Sequence, residues 1–372
     1  MAAASPVEAA AYMAQALRLA ERGSTSTHPN PRVGCVVVRD GEIVGRGWHE
    51  RAGEAHAEVI ALRQAGDRAR GAEVFVSLEP CAHHGRTPPC CEALVAAGVA
   101  KVWVAMEDPY PAVAGQGMNR LRGAGIEVDC GLMETEAESL NRGFLSRVRR
   151  GRPWLSLKLA SSLDGRTAMA SGESQWITGE AARTDVHRLR ASAGAVLTSS
   201  ATVLADNPAL TVRKGLEPGA ALRQPDRIVL DTQLRSPATA QVWHPDARRF
   251  ALTVRPRGAM VDRLRAQGVE VHLVRAGPGG QVELGDALRV LGTAGVNSVL
   301  VECGPILAGA WLRSDLVDEL VLYLAPLMLG SDARPMAQLP GLRQLSERVQ
   351  LTFTDVRQIG SDLRIIAEPR LE

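Results

Sequence analysis

The sequence predicts two α/β domains in series, and three observations carry that reading. Helical and strand-like runs alternate through residues 1–150. Strand-like runs, several of them continuously apolar and separated by helical signals, recur from Trp154 to Ala325. Between them Arg147-Val148-Arg149-Arg150-Gly151-Arg152-Pro153 is a short basic stretch with Gly and Pro at its end, the composition of a linker or a rim facing phosphate. At 372 residues the chain can build two sizeable cores.

In the first half, Ser5-Pro6-Val7-Glu8 supplies an N-cap, a first-turn Pro and a capping-box Glu for a helix over 7–21. Strands are predicted at Val33–Arg39 and Ile43–Trp48, with Asp40-Gly41 as the hairpin turn. A helix over His56–Gln64, a strand at 74–78, and a helical run from Cys91 follow. Strand signals at Val99–Met106 and Ile126–Cys130 and a helical run over 134–146 complete a helix–sheet–helix sandwich.

The second half opens on a strand, Trp154–Ala160, alternating around Lys158. Further strands are predicted at Ala195–Thr198, Arg227–Asp231, Phe250–Val254, Val269–Val274, Ser298–Glu302 and Glu319–Ala325. Helical signals include Glu180–Arg190 and Asp286–Leu291. After the strand ending at Glu302 comes a Gly-containing turn, Cys303–Ala310. Such a turn lets backbone amides approach phosphate, but Ala310-Trp311 stands where a P-loop requires Lys and Ser/Thr.

Composition excludes several function classes. Forty-three Lys and Arg balance 41 Asp and Glu, leaving no basic field for nucleic acid, and 3% aromatics cannot furnish a base-stacking platform. No run approaches 18 apolar residues, so no membrane span is expected. Six cysteines, three of them around one motif, suit a reducing cytoplasm rather than a disulfide framework. Cys35, Cys130 and Cys303 read as ordinary buried thiols.

That motif is His56-Ala57-Glu58, Pro80-Cys81 and Cys90. One imidazole and two thiolates leave a fourth zinc position for water, while a non-ligand Glu58 shuttles the proton: the order found in zinc deaminases. Eight residues separate Cys81 from Cys90, and their polar sequence, Ala82–Pro89, predicts a lobe presenting His83, His84 and Arg86 to an anion. A closed structural site using Cys81, Cys90, Cys91 and a His is the alternative. Others are a nucleic-acid base deaminase with an appended nucleotide-binding domain, and a non-catalytic second domain.

The chain resembles the bifunctional deaminase–reductases of riboflavin biosynthesis over nearly its whole length. The motifs that carry the likeness are His28-Pro29-Asn30-Pro31-Arg32-Val33-Gly34, His49, Gly53, His56-Ala57-Glu58 and the run Leu78–Cys90. In the second half they are Lys158–Arg166, Ser171–Thr178, Thr202–Pro208, Glu302–Pro305 and Leu316–Leu320.

The resemblance implies a cytidine-deaminase-like α/β/α sandwich followed by a dihydrofolate-reductase-like α/β domain. It also implies Zn2+, NADPH, a phosphoribosylaminopyrimidine substrate and a homo-oligomer. By it His56, Cys81 and Cys90 hold zinc and Glu58 is catalytic. Asn30 and His49 contact the pyrimidine, and His83 and Arg86 the substrate phosphate. Lys158, Ser174, Arg190, Leu210, Arg213 and Glu302 contact the reductase substrate. Ala160, Trp176, Thr202, Asp206, Gly304, Pro305, Ile306, Leu307, Ala308, Gly309 and Ala310 line the cofactor site. Ile306 stands where many relatives carry a hydroxyl, which removes one donor to cofactor phosphate. Simpler roles remain open: Trp176 as core, Arg190 as a solvated helix residue, and Asp206-Asn207-Pro208 as a turn.

Overall fold

The computed structural model describes residues 4–82, 89–111, 113–217, 219–256 and 258–370. The chain divides into two compact units, Met1–Gly151 and Arg152–Glu372.

The first unit runs α1 (Pro6–Glu21), β1 (Gly34–Arg39), β2 (Glu42–Trp48), α2 (Ala57–Ala65), β3 (Glu73–Val76), α3 (Cys90–Ala97), β4 (Lys101–Val104), α4 (Gln116–Gly123), β5 (Glu127–Cys130), α5 (Glu134–Leu140) and α6 (Arg142–Arg150). Ser5 and Glu8 form the predicted capping box. Asp40 and Gly41 both take positive φ, as a two-residue hairpin turn requires. The sheet order is β2-β1-β3-β4-β5, with β1 antiparallel to both neighbours and β3, β4 and β5 parallel.

Strand alternation sends Val37, Val74, Val76 and Val102 to one face, against Ala57, Ala61, Leu94 and Leu121 of α2, α3 and α4. Val36, Val38 and Phe75 face the other way, against Ala9, Met13, Ala137 and Leu145 of α1, α5 and α6. The result is the expected three-layer sandwich. A Cβ on Gly47 of β2 would strike the Ala57 carbonyl, so glycine there lets the start of α2 lie directly on the sheet. The helix expected over 134–146 is two. Asn141 separates them because its side chain bonds both the N–H (2.8 Å) and the carbonyl (3.0 Å) of Arg32.

The second unit runs β6 (Trp154–Ser162), β7 (Arg166–Ala168), α7 (Glu180–Ser192), β8 (Ala195–Ser199), α8 (Ser200–Asp206), β9 (Asp226–Leu230), β10 (Arg249–Thr253), α9 (Gly258–Ala266), β11 (Glu270–Leu273), α10 (Leu284–Thr293), β12 (Ser298–Glu302), α11 (Pro305–Leu312), β13 (Glu319–Ala325), β14 (Arg334–Pro335), β15 (Leu351–Ile359) and β16 (Asp362–Pro369). A nine-stranded sheet has the order β11-β10-β9-β8-β12-β6-β13-β16-β15, parallel from β11 to β13 and antiparallel beyond. β9 and β10 are buried throughout, as their apolar runs predicted. One face packs Leu155, Leu197, Ile228 and Phe250 with Leu291 and Trp311; the other packs Val196, Val229 and Ala251 with Leu264. Each fully buried Leu, Val or Phe contributes about 1.5–3 kcal/mol by leaving water.

The chain passes from β6 to β8, builds outward through β9, β10 and β11, then returns to place β12 between β8 and β6. Crevices at the carboxyl ends of strands beside such a reversal are where open α/β sheets bind ligands. The sequence reading lacked β7, β14, β15, β16, α4, α8, α9 and α11, which are short, weakly periodic or exposed. Residues 305–310, read as part of a turn, lie in α11, which runs on to Leu312. Among the described residues no helix is long and apolar enough to cross a membrane.

Candidate active sites

In the first unit, the close seating of α2 on the sheet sets two of the four site residues. His56 is the N-cap of α2 in an extended conformation, and Glu58 is the second helical residue, with 3% of its surface exposed. Cys90 is the first residue of α3 and Cys81 lies on the segment leading from β3. His56 Nδ1 is 3.0 Å from Cys90 Sγ and 3.6 Å from Cys81 Sγ, and the three donor atoms lie within 4.8 Å of one another. The Cys90 amide donates to Cys81 Sγ at 3.3 Å.

Hydrogen bonding from Cys90 chiefly, with help from His56, holds the Cys81 thiol well below the usual thiol range against the opposing effect of burial. The partner thiol of Cys90 moves the other way, since it keeps the proton it shares with Cys81. One imidazole and two sulfurs at this spacing fit zinc with one position left open. Glu58 Oε2 is buried with no hydrogen-bond partner among the described residues, an acceptor waiting for a proton-bearing group. Burial pushes this carboxyl up to about 7. Cys91 turns into the core beside Leu94 and is outside the donor cluster, which removes the closed site built on it. Cys130, expected buried, is exposed on β5 at the end of the sheet order, where no further strand covers it.

The donors open onto a cavity of about 390 Å³ whose lining includes Asn30, His49, Glu58, Asp108, Tyr110 and Phe144. The His49 ring donates from Nδ1 to the Ala55 carbonyl (3.2 Å), and burial holds its pKa below the usual imidazole value, which favours the neutral ring. Its Nε2 then accepts from Asn30 Nδ2 at 3.0 Å, which leaves Asn30 Oδ1 as an acceptor for a ligand N–H. Glu79 shapes the wall: its carboxylate accepts backbone N–H bonds from Asp108, Gly115, Gly117 and Met118 at 2.9–3.2 Å. A Cβ on Gly117 would strike the Pro80 carbonyl, so glycine there lets α4 buttress the Cys81 segment. Tyr110, Asp108 and Phe144 escaped the sequence reading because no spacing marks them. Glu79 and Gly117 carry only a weak signal in the sequence, a carboxylate before Pro-Cys and a glycine inside a helix.

In the second unit, the parallel register of β12 on β6 sets Glu302 opposite Lys158. Glu302 pairs with Arg190 of α7 at 2.5 and 3.1 Å and with Lys158 Nζ at 3.4 Å. Burial alone would raise the Glu302 carboxyl, yet Arg190 and Lys158 outweigh it and hold it at about 2. Arg190 is therefore no solvated helix residue. Its Nη1 also donates to the Thr211 carbonyl at 3.1 Å. Leu210 is buried at a positive φ of 54°, and exposed Arg213 lies three residues on.

Ser174 is exposed, and Trp176 is 68% exposed with the Arg183 guanidinium 4.5 Å from its ring centre, so Trp176 is not core. Ala160 is half-buried on β6, Thr202 lies in the first turn of α8 with its amide 3.3 Å from Ser199 Oγ, and exposed Asp206 ends that helix. Asn207 then caps it in the left-handed conformation. Gly304 is the N-cap of α11, followed by Pro305, exposed Ile306 and half-buried Leu307. Ala308 and Gly309 are buried, and Gly309 admits the Gln338 backbone; Ala310 is half-buried. His83 and Arg86, with the rest of the expected lobe at 83–88, lie outside the described residues.

Residues 7–106 match the family model for the cytidine and deoxycytidylate deaminase zinc-binding region, and residues 153–365 match that for the RibD C-terminal domain. Over 361 residues the chain is 55% identical to the riboflavin biosynthesis protein RibD of Escherichia coli K12, covering 95% of this chain and 97% of that one. This chain belongs to the RibD family. The Haemophilus influenzae RibD is 44% identical over 367 residues, covering 96% of this chain and 97% of the relative. A solved Acinetobacter baumannii RibD superposes with a TM-score of 0.91 at 44% identity, covering 99% of this chain and all of the other. A Thermotoga maritima structure described as a diaminohydroxyphosphoribosylaminopyrimidine deaminase/5-amino-6-(5-phosphoribosylamino)uracil reductase gives 0.84 at 32% identity, covering 98% and 99%. As a RibD-family protein the chain is a deaminase and a reductase of riboflavin biosynthesis in one polypeptide, a zinc hydrolase joined to an NADPH-dependent oxidoreductase. Its α/β architecture is a cytidine-deaminase-like domain followed by the family's reductase domain.

Proposed function

We propose that residues 1–150 deaminate 2,5-diamino-6-ribosylamino-4(3H)-pyrimidinone 5′-phosphate and residues 151–372 reduce the ribosyl group of the product to ribityl. The observation that carries the first step is the His56, Cys81 and Cys90 donor set beside the buried Glu58 oxygen that has no partner among the described residues. Bound there, zinc supplies the Lewis acidity that makes water nucleophilic near neutral pH. Glu58 would relay two protons in turn, the first from the attacking water to a ring nitrogen and the second from the hydroxyl so added to the amino group, which leaves as ammonia. Asn30 and neutral His49 orient the pyrimidine, and His83 and Arg86 meet its phosphate.

In the reductase domain, Lys158, Ser174, Arg190, Leu210, Arg213 and Glu302 hold the substrate. Ala160, Trp176, Thr202, Asp206 and residues 304–310 hold NADPH, which supplies the hydride. The inward packing of Ala308 and Gly309 concentrates direct contact on Gly304, Pro305, Ile306 and Leu307, where α11 begins. Hydride reaches the C1′ carbon of the ring-opened sugar imine and a proton must reach its nitrogen. Lys158, Asp206 and Glu302 are the candidate donors. Glu302 is ionised between two cations and has no proton to give at neutral pH, and Asp206 is exposed at the end of α8, so we assign the donation to Lys158. The free cysteines and thiolate ligands support a reducing, cytoplasmic setting. Exposed Phe353 and Val356 on the outermost strand, β15, support a homo-oligomer, which sedimentation would test.

The deciding experiment follows substrate mass in zinc-loaded protein. Replacement of one amino group by oxygen without NADPH, then a gain of two hydrogens with it, is expected. No change in either condition with a folded, zinc-loaded protein overturns the assignment.

A further inference from the structure

The segment Ala209–Lys214 crosses from α8 toward β9 without joining a helix or a strand ladder, yet its backbone is tied at four successive points. Arg190 of α7 donates to the Thr211 carbonyl at 3.1 Å. Gln224 grips Val212 from both sides, accepting its N–H through Oε1 and donating to its carbonyl from Nε2, each at 2.9 Å. His187, also on α7, accepts the Arg213 N–H at Nδ1, at 3.4 Å. An amide pair of Gln matches a backbone N–H and C=O as a neighbouring strand would. Side chains here replace the missing ladder.

We infer that His187 and Gln224 are positioning residues that fix the Leu210–Arg213 segment in register with the Glu302–Arg190–Lys158 cluster. The inference rests on the proposed substrate contacts of Leu210 and Arg213. Geometry supplies the link: Arg190 bonds Glu302 and Thr211 together, so the carboxylate and the segment share one guanidinium. His187 is buried, 6% exposed, and serves only as an unprotonated acceptor at Nδ1. Burial first, then Arg190, Arg213 and Lys214, holds its pKa to about 4, which preserves that state at neutral pH. Neither residue belongs to a motif; only the fold brings them to the segment.

The test uses the full-length, zinc-loaded chain with His187→Leu, His187→Asn, Gln224→Met and Arg213→Ala. Asn keeps an acceptor where Nδ1 stands, whereas Leu and Met keep bulk without polarity. Reductase KM for the deaminated substrate should rise about tenfold in His187→Leu, the size of one lost hydrogen bond, and by at least about tenfold in Gln224→Met, which loses two. The KM for NADPH and the deaminase rate should not move, and His187→Asn should stay within about threefold of the parent. Hydrogen exchange in the 209–214 peptide should speed up in His187→Leu and Gln224→Met and not in His187→Asn. A fall in kcat at unchanged KM, unchanged exchange, or equal damage from Asn and Leu overturns the positioning role. If Arg213→Ala leaves KM unchanged while exchange behaves as expected, the substrate reading of Arg213 fails and the backbone role stands.

Discussion

Replacing Glu302 by Gln tests the electrostatics of the reductase site most directly. The side chain is 11% exposed and sits between Arg190 and Lys158. A carboxyl lowered from 4.5 to about 2 favours its charged form in the folded state by about 3 kcal/mol, at 1.36 kcal/mol per tenfold change in proton affinity. Breaking a buried pair by removing one partner costs a similar ~3–5 kcal/mol, because it strands the cations. For a domain of this size each kcal/mol moves Tm by about 2–4 °C, so the reductase domain should melt about 6–12 °C lower. The pH dependence has a definite sign. A depressed carboxyl gives stability that is present above the unfolded value of 4.5 and lost as pH falls toward 2. Thermal melts of parent and variant across pH 2–7 should therefore converge at the acid end. Reductase turnover should collapse while deamination persists. A variant that melts within about 2 °C of the parent at pH 7, with reductase intact, refutes the argument.

Other expectations concern both sites. Glu58→Gln should keep stoichiometric zinc by metal analysis and lose about 10²–10⁴-fold in deamination, the usual worth of a positioned acid–base group; full activity would refute its role. Gly117→Ala should push the Pro80 carbonyl and with it Cys81, lowering zinc affinity in a competition titration with a chelator while reduction is unaffected. Lys158→Ala should abolish reduction and spare deamination, read by product mass; loss of both in a folded protein would show that the two activities are coupled.

Much of this was legible in the chain. The capping box at Ser5, the Asp40-Gly41 hairpin and the buried strands Asp226–Leu230 and Arg249–Thr253 follow local rules of period and turn chemistry, and such rules act within a few residues. The metal donors were readable because zinc chemistry demands particular residue types in a particular order. Helix α8, strand β7 and the β15–β16 hairpin were not, since short or two-sided exposed elements leave a weak hydrophobic period.

By itself the sequence determined two α/β domains, a three-donor zinc motif with its carboxylate, and membership of a deaminase–reductase family. Tertiary structure alone decided that Cys91 points into the core, that Asn141 breaks a helix by bonding Arg32, and that Trp176 lies on the surface. It also joined Lys158, Arg190 and Glu302, separated by up to 144 residues, into one buried cluster. The reason is physical: burial, charge pairing and backbone satisfaction depend on distances in space, and strand order sets those distances without leaving a trace in residue spacing.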